Sequence, residues 1–192
     1  LSDYYANAAG GALGYHSARI NGFSISLKGQ FTYNIFSNDL LAVDTKGGRT
    51  SRYELQLFDV AHPTNRNDLD RLEELYVDYL GEKVYAKAGK IDIATPLVNP
   101  QDGRMKPYAI HGIWIRSKLP NNWVLSFGAF NKLSPRSTTH WYHLKESIGI
   151  YGNGYAINGE KAEYEGRLNT SGLLVAGDHY HNELFNFQGW NY

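Results

Sequence analysis

The run 23–35 constrains this chain more than any other feature. Phe23, Ile25, Leu27, Gly29, Phe31, Tyr33 and Ile35 alternate with Ser24, Ser26, Lys28, Gln30, Thr32 and Asn34. Successive side chains of a strand point to opposite faces, so the run reads as one long strand with an apolar and a wet face. At about 3.3 Å per residue and a tilt of about 45°, it rises on the order of 30 Å. That spans the apolar band of a membrane barrel, about 25 Å tall. Strands in soluble sheets usually run to about five or six residues.

Shorter copies of the pattern follow. Leu55 and Leu57 oppose Glu54 and Gln56, and Leu75, Val77 and Tyr79 oppose Glu74, Tyr76 and Asp78. Val84, Ala86 and Ala88 oppose Tyr85, Lys87 and Gly89, while Trp123, Leu125, Phe127 and Ala129 oppose Val124, Ser126, Gly128 and Phe130. A last copy sets Ala162, Tyr164, Gly166 and Leu168 against Glu163, Glu165 and Arg167. About ten strands are expected, joined by hairpins with no room for helical crossovers. Residues 68–76 could begin a short helix capped at Asn67, but the alternation from Leu72 onward favours a strand. Asn21-Gly22, Gly81-Glu82-Lys83 and Pro120-Asn121-Asn122 are tight turns. The segments 61–70, 92–107 and 132–146 are long. Short turns at one end and long loops at the other are the habit of outer-membrane barrels. Residues 37–50 make a connection too long for the end on which this scheme puts them.

Composition sorts the remaining classes. The mean hydropathy is −0.46, and no run approaches the roughly 18 apolar residues of a transmembrane helix. Alternating barrel strands also average to mildly polar, so this value does not argue against a membrane. With 15 Tyr, 20 Gly and one Met, the chain favours strands and turns over packed helices. Cysteine is absent, which removes disulfides and thiolate metal sites, and a net charge of zero removes a broad electrostatic case for nucleic acid. No leader pattern precedes Leu1, so the chain is expected to be processed or to lie within a longer protein.

Catalytic chemistry finds little support. His140 and His143, and His179 and His181, have face-sharing spacings without a recognisable third ligand, so no metal or cofactor is expected. Glu73 and Glu74, as strand neighbours, should point to opposite faces and cannot form a catalytic pair. GxSxG and P-loop patterns are absent. Trp141, Tyr142, Trp190 and Tyr192 could stack sugars, but they read better as an interfacial aromatic girdle.

Residues 95–107 hold three of the six prolines and the turn-forming Asp102-Gly103, so they form a loop. Its charges, Asp102, Arg104 and Lys106, either meet solvent or narrow a pore into which the loop folds. The run Asn99-Pro100-Gln101-Asp102-Gly103-Arg104-Met105-Lys106-Pro107, followed by His111-Gly112-Ile113-Trp114, resembles the constriction-loop region of OprD-type outer-membrane porins. Tyr4-Tyr5-Ala6-Asn7-Ala8, Ser51-Arg52-Tyr53, Arg71-Leu72-Glu73-Glu74-Leu75-Tyr76, Ser134-Pro135-Arg136 and Ser147-Ile148-Gly149-Ile150-Tyr151 resemble that family in the same order. The resemblance implies a monomeric barrel of about eighteen strands around an aqueous channel. It also implies passage of small solutes, often carboxylates or amino acids, guided by lumenal basic residues. The chain departs from the pattern in its length, in the mixed signs of its mid-strand charges, and in Asn186 and Gln188, which interrupt the apolar alternation before Tyr192.

The expectation is therefore an all-β fold, an antiparallel transmembrane β-barrel of porin type. Residues 1–192 would form a single region covering part of the barrel. It would lie in the bacterial outer membrane, surrounded by lipid bilayer and lipopolysaccharide, and pass small hydrophilic solutes. It would not be an enzyme. Asp102, Arg104 and Lys106 would belong to the pore-constriction loop. Lys28, Arg52, Glu54, Glu74, Asp78, Lys87, Arg136 and Arg167 would face the lumen. The main alternative is a soluble β-sandwich binding glycans through exposed Tyr and Trp, with short strands and a closed core. An outer-membrane hydrolase would need a nucleophile with partners, and none stands out.

Overall fold

A computed structural model of the protein describes residues 3–48, 50–51, 53–100, 105–150, 156–160 and 166–192. Among these residues the period-two alternation becomes one antiparallel sheet of nine strands. They are β1 (Ala6–His16), β2 (Phe23–Ser37), β3 (Arg71–Leu80), β4 (Val84–Ile91), β5 (Ala109–Lys118), β6 (Trp123–Ser134), β7 (Tyr142–His143), β8 (Leu173–His181) and β9 (Asn186–Asn191). The order is β1-β2-β3-β4-β5-β6-β8-β9, and β7 pairs with the far end of β6. Sequence neighbours are thus spatial neighbours, and the sheet is an open meander. β2 is the long strand, at 15 residues. A single helical turn, α1 (Leu144–Ser147), follows β7.

Turn chemistry sets the short end. Asn21 and Gly22 have φ of 49° and 87°, and Asn121 and Asn122 have φ of 60° and 63°. Positive φ at both central residues is what a type I′ hairpin requires, and it matches the twist of the flanking strands. The connections 38–70, 92–108 and 135–172 all leave the opposite end.

Three sequence expectations change. Leu55–Leu57 is a 3₁₀ turn and not a strand. Leu55 and Leu57 are apolar because they pack on a small core of Leu40, Phe58 and Leu69, against Ala6 and Ala8 of β1. Glu54 consequently lies in a loop. With that strand gone, 38–70 is one connection at the long-loop end, and the misplaced 37–50 segment disappears as a problem. Gly166 has φ of 71° within a turn, so 166–168 does not continue a strand. Residues 161–165 of that expected strand lie outside the described residues. Among the described residues the count is nine.

The two faces differ in kind. Phe23, Ile25, Leu27, Phe31 and Tyr33 of β2, with Leu75, Val77, Ile113, Ile115, Leu125 and Phe127 beside them, are exposed. The opposite face carries the charges and is the packed one: Ser24, Ser26 and Asp78 are buried there. It also holds a cluster of Ile91, Ile93, Ile110, Trp114, Phe130, Leu144 and Val175. A soluble sandwich would bury the apolar face under a second sheet, whereas the described strands form a single one. An exposed apolar surface across several strands fits lipid, and the inward polar face fits water.

Sidedness is testable at two adjacent residues. Leu27→Arg should destabilise insertion by about 2–4 kcal/mol near the bilayer midplane, measured by denaturant titration of the liposome-folded protein. Lys28→Gln should leave it within error of wild type.

Candidate functional site

The inner face is organised from the start of β3. Lys28 pairs with Glu74 and Gly29 with Leu72, so Glu73 is the extra residue of a β-bulge. The bulge turns Glu73 to the inner side together with Glu74. This corrects the expectation of opposite faces, because strict alternation fails at a bulge. Both flanking residues, Leu72 and Leu75, stay on the exposed side.

Arg71, also buried, uses the space that results. Its Nε and Nη2 donate to Glu73 Oε2 at 2.9 and 2.6 Å. Nη2 also reaches the Pro107 carbonyl at 2.6 Å, and Nη1 reaches Ser134 Oγ at 2.9 Å and the Pro135 carbonyl at 3.2 Å. One guanidinium thereby ties two long connections, 92–108 and 135–141, to the inner wall.

Residues 105–108, at the end of the 92–108 segment, lie against that wall. Tyr108 N donates to the Pro100 carbonyl at 3.0 Å, closing the neck of the loop. Lys106 Nζ donates to Thr32 Oγ1 of β2 at 2.9 Å. A Cβ on Gly10 of β1 would lie 2.9 Å from the Phe31 carbonyl and 3.0 Å from Met105 Sδ. Only glycine lets the loop rest so closely on β1. Lys106 is 0% exposed and anchors the loop against β2. Burial, reinforced by the nearby positive charge of Arg71, pushes its pKa down to about 8.

The remaining expected residues separate into groups. Lys28 Nζ meets Glu74 Oε1 at 2.8 Å, and Lys87 Nζ meets Asp92 Oδ1 at 3.1 Å while lying over the Tyr76 ring. Asp78 accepts from Ser24 Oγ at 2.6 Å and pairs with Arg19 at 2.7 Å. Lys28, Glu74, Asp78 and Lys87 share the face opposite the exposed apolar side chains. Glu54 instead accepts from Ser51 Oγ within its loop at 2.7 Å. Arg136 is half-buried in the connection after β6, and Arg167 is exposed in a turn. Arg52, Asp102 and Arg104 lie outside the described residues.

Sequence reading missed Arg19, Arg71, Glu73 and Arg116. Arg116 pairs with Tyr85 and Ser126 in the row next to Trp114, on the inner face, and is exposed. It has no ion-pair partner among the described residues. Its alternation with Ile113 and Ile115 was a usable signal. The girdle expectation is also corrected. Trp190 stacks on Trp114 with centroids 6.4 Å apart, and Tyr192 stacks on Trp190. Tyr192 Oη donates to Thr95 Oγ1 at 2.9 Å, so these aromatics support the loop from inside. Tyr142 Oη is buried as well. Trp141 sits at the loop end, donating from Nε1 to the Leu72 carbonyl.

Lys106 gives the loop a pH dependence. Its folded pKa of about 8 lies below the ordinary lysine value of 10.5. Between these values the unfolded chain binds a proton that the folded one has lost, so stability rises with pH across that window. Denaturant titrations from pH 7 to 11 should show this rise, and Lys106→Met should reduce its slope.

No protein-family model and no curated protein sequence matches the chain. Solved structures do. OccD3 (OpdP) of Pseudomonas aeruginosa aligns over 97% of this chain and 36% of its own, at 16% identity and a TM-score of 0.58. OpdK of Pseudomonas aeruginosa, crystallised with vanillate, aligns over 96% of this chain and 42% of its own, at 18% identity and a TM-score of 0.61. A BenF-like porin of Pseudomonas fluorescens Pf-5 aligns over 97% and 42%, at 16% identity and a TM-score of 0.67. The chain thus spans less than half the length of these structures. Its meander of long antiparallel strands, with a loop laid across the inner face, has the fold of the OprD/Occ porins.

Proposed function

We propose that this chain is a single region of the wall of an outer-membrane porin of the OprD/Occ type, through which small hydrophilic solutes diffuse. The observation that carries the reading is the reversal of the two faces: apolar side chains exposed outward, paired charges inward. The fold shared with solved porins supports it. Residues 96–107 act as the constriction. The anchors at Lys106, Met105 and Pro107 support this role, since they hold the segment against β1, β2 and β3. Asp102 and Arg104, which in sequence lie between Pro100 and these anchors, supply the charge of the constriction in this reading.

Most inner cations are matched: Lys28 by Glu74, Arg19 by Asp78 and Lys87 by Asp92. Arg116 is exposed on the same face, and a cation free of an ion pair attracts anionic solutes. The carboxylate vanillate in OpdK is compatible with that preference. On the outer face, Lys90, His111 and Lys132 stand opposite one another across β4, β5 and β6 near the loop end. We assign this row to the phosphates of lipopolysaccharide, which accept charge-assisted hydrogen bonds from such groups.

Replacing Arg104 by Ala in the intact protein should leave the barrel folded, because a loop tip contributes little packing. In planar bilayers the variant should change single-channel conductance and move the reversal potential toward cation selectivity. Conductance and ion preference equal to wild type would return the segment to an ordinary surface loop.

A further inference from the structure

The two longest described connections meet at a group of side chains that a channel wall does not use. Asp59 and His62 come from 38–70, and His140 comes from the connection after β6. Their ligand atoms all lie within 4.8 Å of one another. His62 Nδ1 is 3.3 Å and His140 Nδ1 is 4.0 Å from Asp59 Oδ2, and the two imidazoles are 5.0 Å apart, centroid to centroid. We propose that Asp59, His62 and His140 bind a divalent transition-metal ion of the Zn²⁺ class, which joins the two loops at the outer rim. The site stands on loop geometry and does not rest on what the pore conducts.

The carboxylate is built in advance. Asp59 is completely buried. Its Oδ1 accepts from the amides of Ala61 and His62 at 2.9 and 3.3 Å, and Oδ2 accepts from Thr139 Oγ1 at 2.7 Å. A buried carboxylate so oriented, with one oxygen facing two imidazoles, resembles the supported ligand of a metal site more than a surface charge. The backbones are fixed too. Val60 N donates to the Ser137 carbonyl at 2.8 Å, joining the loops beside the cluster, and Ser134 Oγ holds the His140 carbonyl at 2.6 Å.

Donor chemistry selects the ion. Two neutral imidazoles and one carboxylate suit Zn²⁺, Cu²⁺ or Ni²⁺, whereas Ca²⁺ and Mg²⁺ prefer all-oxygen shells. Both imidazoles are largely exposed, with side chains 53% and 58% accessible. They can therefore rotate the short way to Zn–N distances of about 2.0–2.1 Å without repacking. Water completes the shell on the exposed side. Sequence spacing could not reveal this, because the pairs it offered were His140 with His143 and His179 with His181.

The test is calorimetric titration of Zn²⁺ into the intact protein in detergent, with gel mobility before and after heating as the control for folding. Wild type should bind one equivalent. His62→Ala and His140→Ala should each weaken binding at least tenfold, and Thr139→Val, which removes the hydroxyl that supports Asp59 and lies 2.8 Å from His140 Nδ1, by about 10–100-fold. His179→Ala should bind like wild type. Absence of Zn²⁺ binding by wild type overturns the proposal, as does binding that survives unchanged in both His62→Ala and His140→Ala.

Discussion

In an apolar layer no water satisfies a backbone N–H or C=O, so each strand that crosses must be paired on both sides. This requirement shapes the molecule more than any side-chain contact does. β2 pairs with β1 over residues 26–37 and with β3 over residues 23–30, and β3, β4 and β5 are flanked in turn. A meander with tight I′ turns is the simplest chain path that achieves it, since consecutive strands then supply one another's partners. Toward the long-loop end, residues 31–37 of β2 and 71–74 of β3 are paired on one side only, and there the loops pack against the sheet. β1 and β9 end the pairing path, and the porins that share the fold are more than twice as long.

With the backbone satisfied by the sheet, the inner side chains are free to build a site. Arg71 organises it. A guanidinium buried beside Glu73 is costly to break, since removing one partner of such a pair costs about 3–5 kcal/mol. Most of its other donors go to loop carbonyls and not to acids. The residue therefore works less as an ion pair than as a clasp. It holds 92–108 against the wall while Lys106 and Met105 fix the same segment to β1 and β2. The stacked Trp114, Trp190 and Tyr192 close the space beneath. The result is a wall with a fixed ledge on its polar face.

Much of this was legible in the sequence, and the limits have physical causes. Leu27 and Lys28 declared their faces because alternation over many residues admits one register. The I′ turns were legible because few residues other than Asn and Gly accept positive φ. Leu55 and Leu57 misled because two apolar residues in alternation serve a loop core as well as a sheet face. Glu73 misled because a bulge has no signature of its own. Trp190 and Tyr192 fit a girdle by type, and only the register of β9 against β8 turned Trp190 inward. Asp59, His62 and His140 could not be grouped, since loops far apart in sequence meet only in three dimensions.

The central claim is that one face of β2 meets lipid and the other meets the watery interior. The chain has no cysteine of its own, so single cysteines at successive positions 23–33 can each carry a spin label. In the liposome-reconstituted protein, collision with oxygen reports lipid, and collision with a water-soluble nickel chelate reports aqueous access. The account predicts that the oxygen-to-chelate ratio oscillates with period two and peaks at Phe23, Ile25, Leu27, Phe31 and Tyr33. A flat profile, or chelate access at those positions equal to that at Lys28 and Gln30, would contradict it.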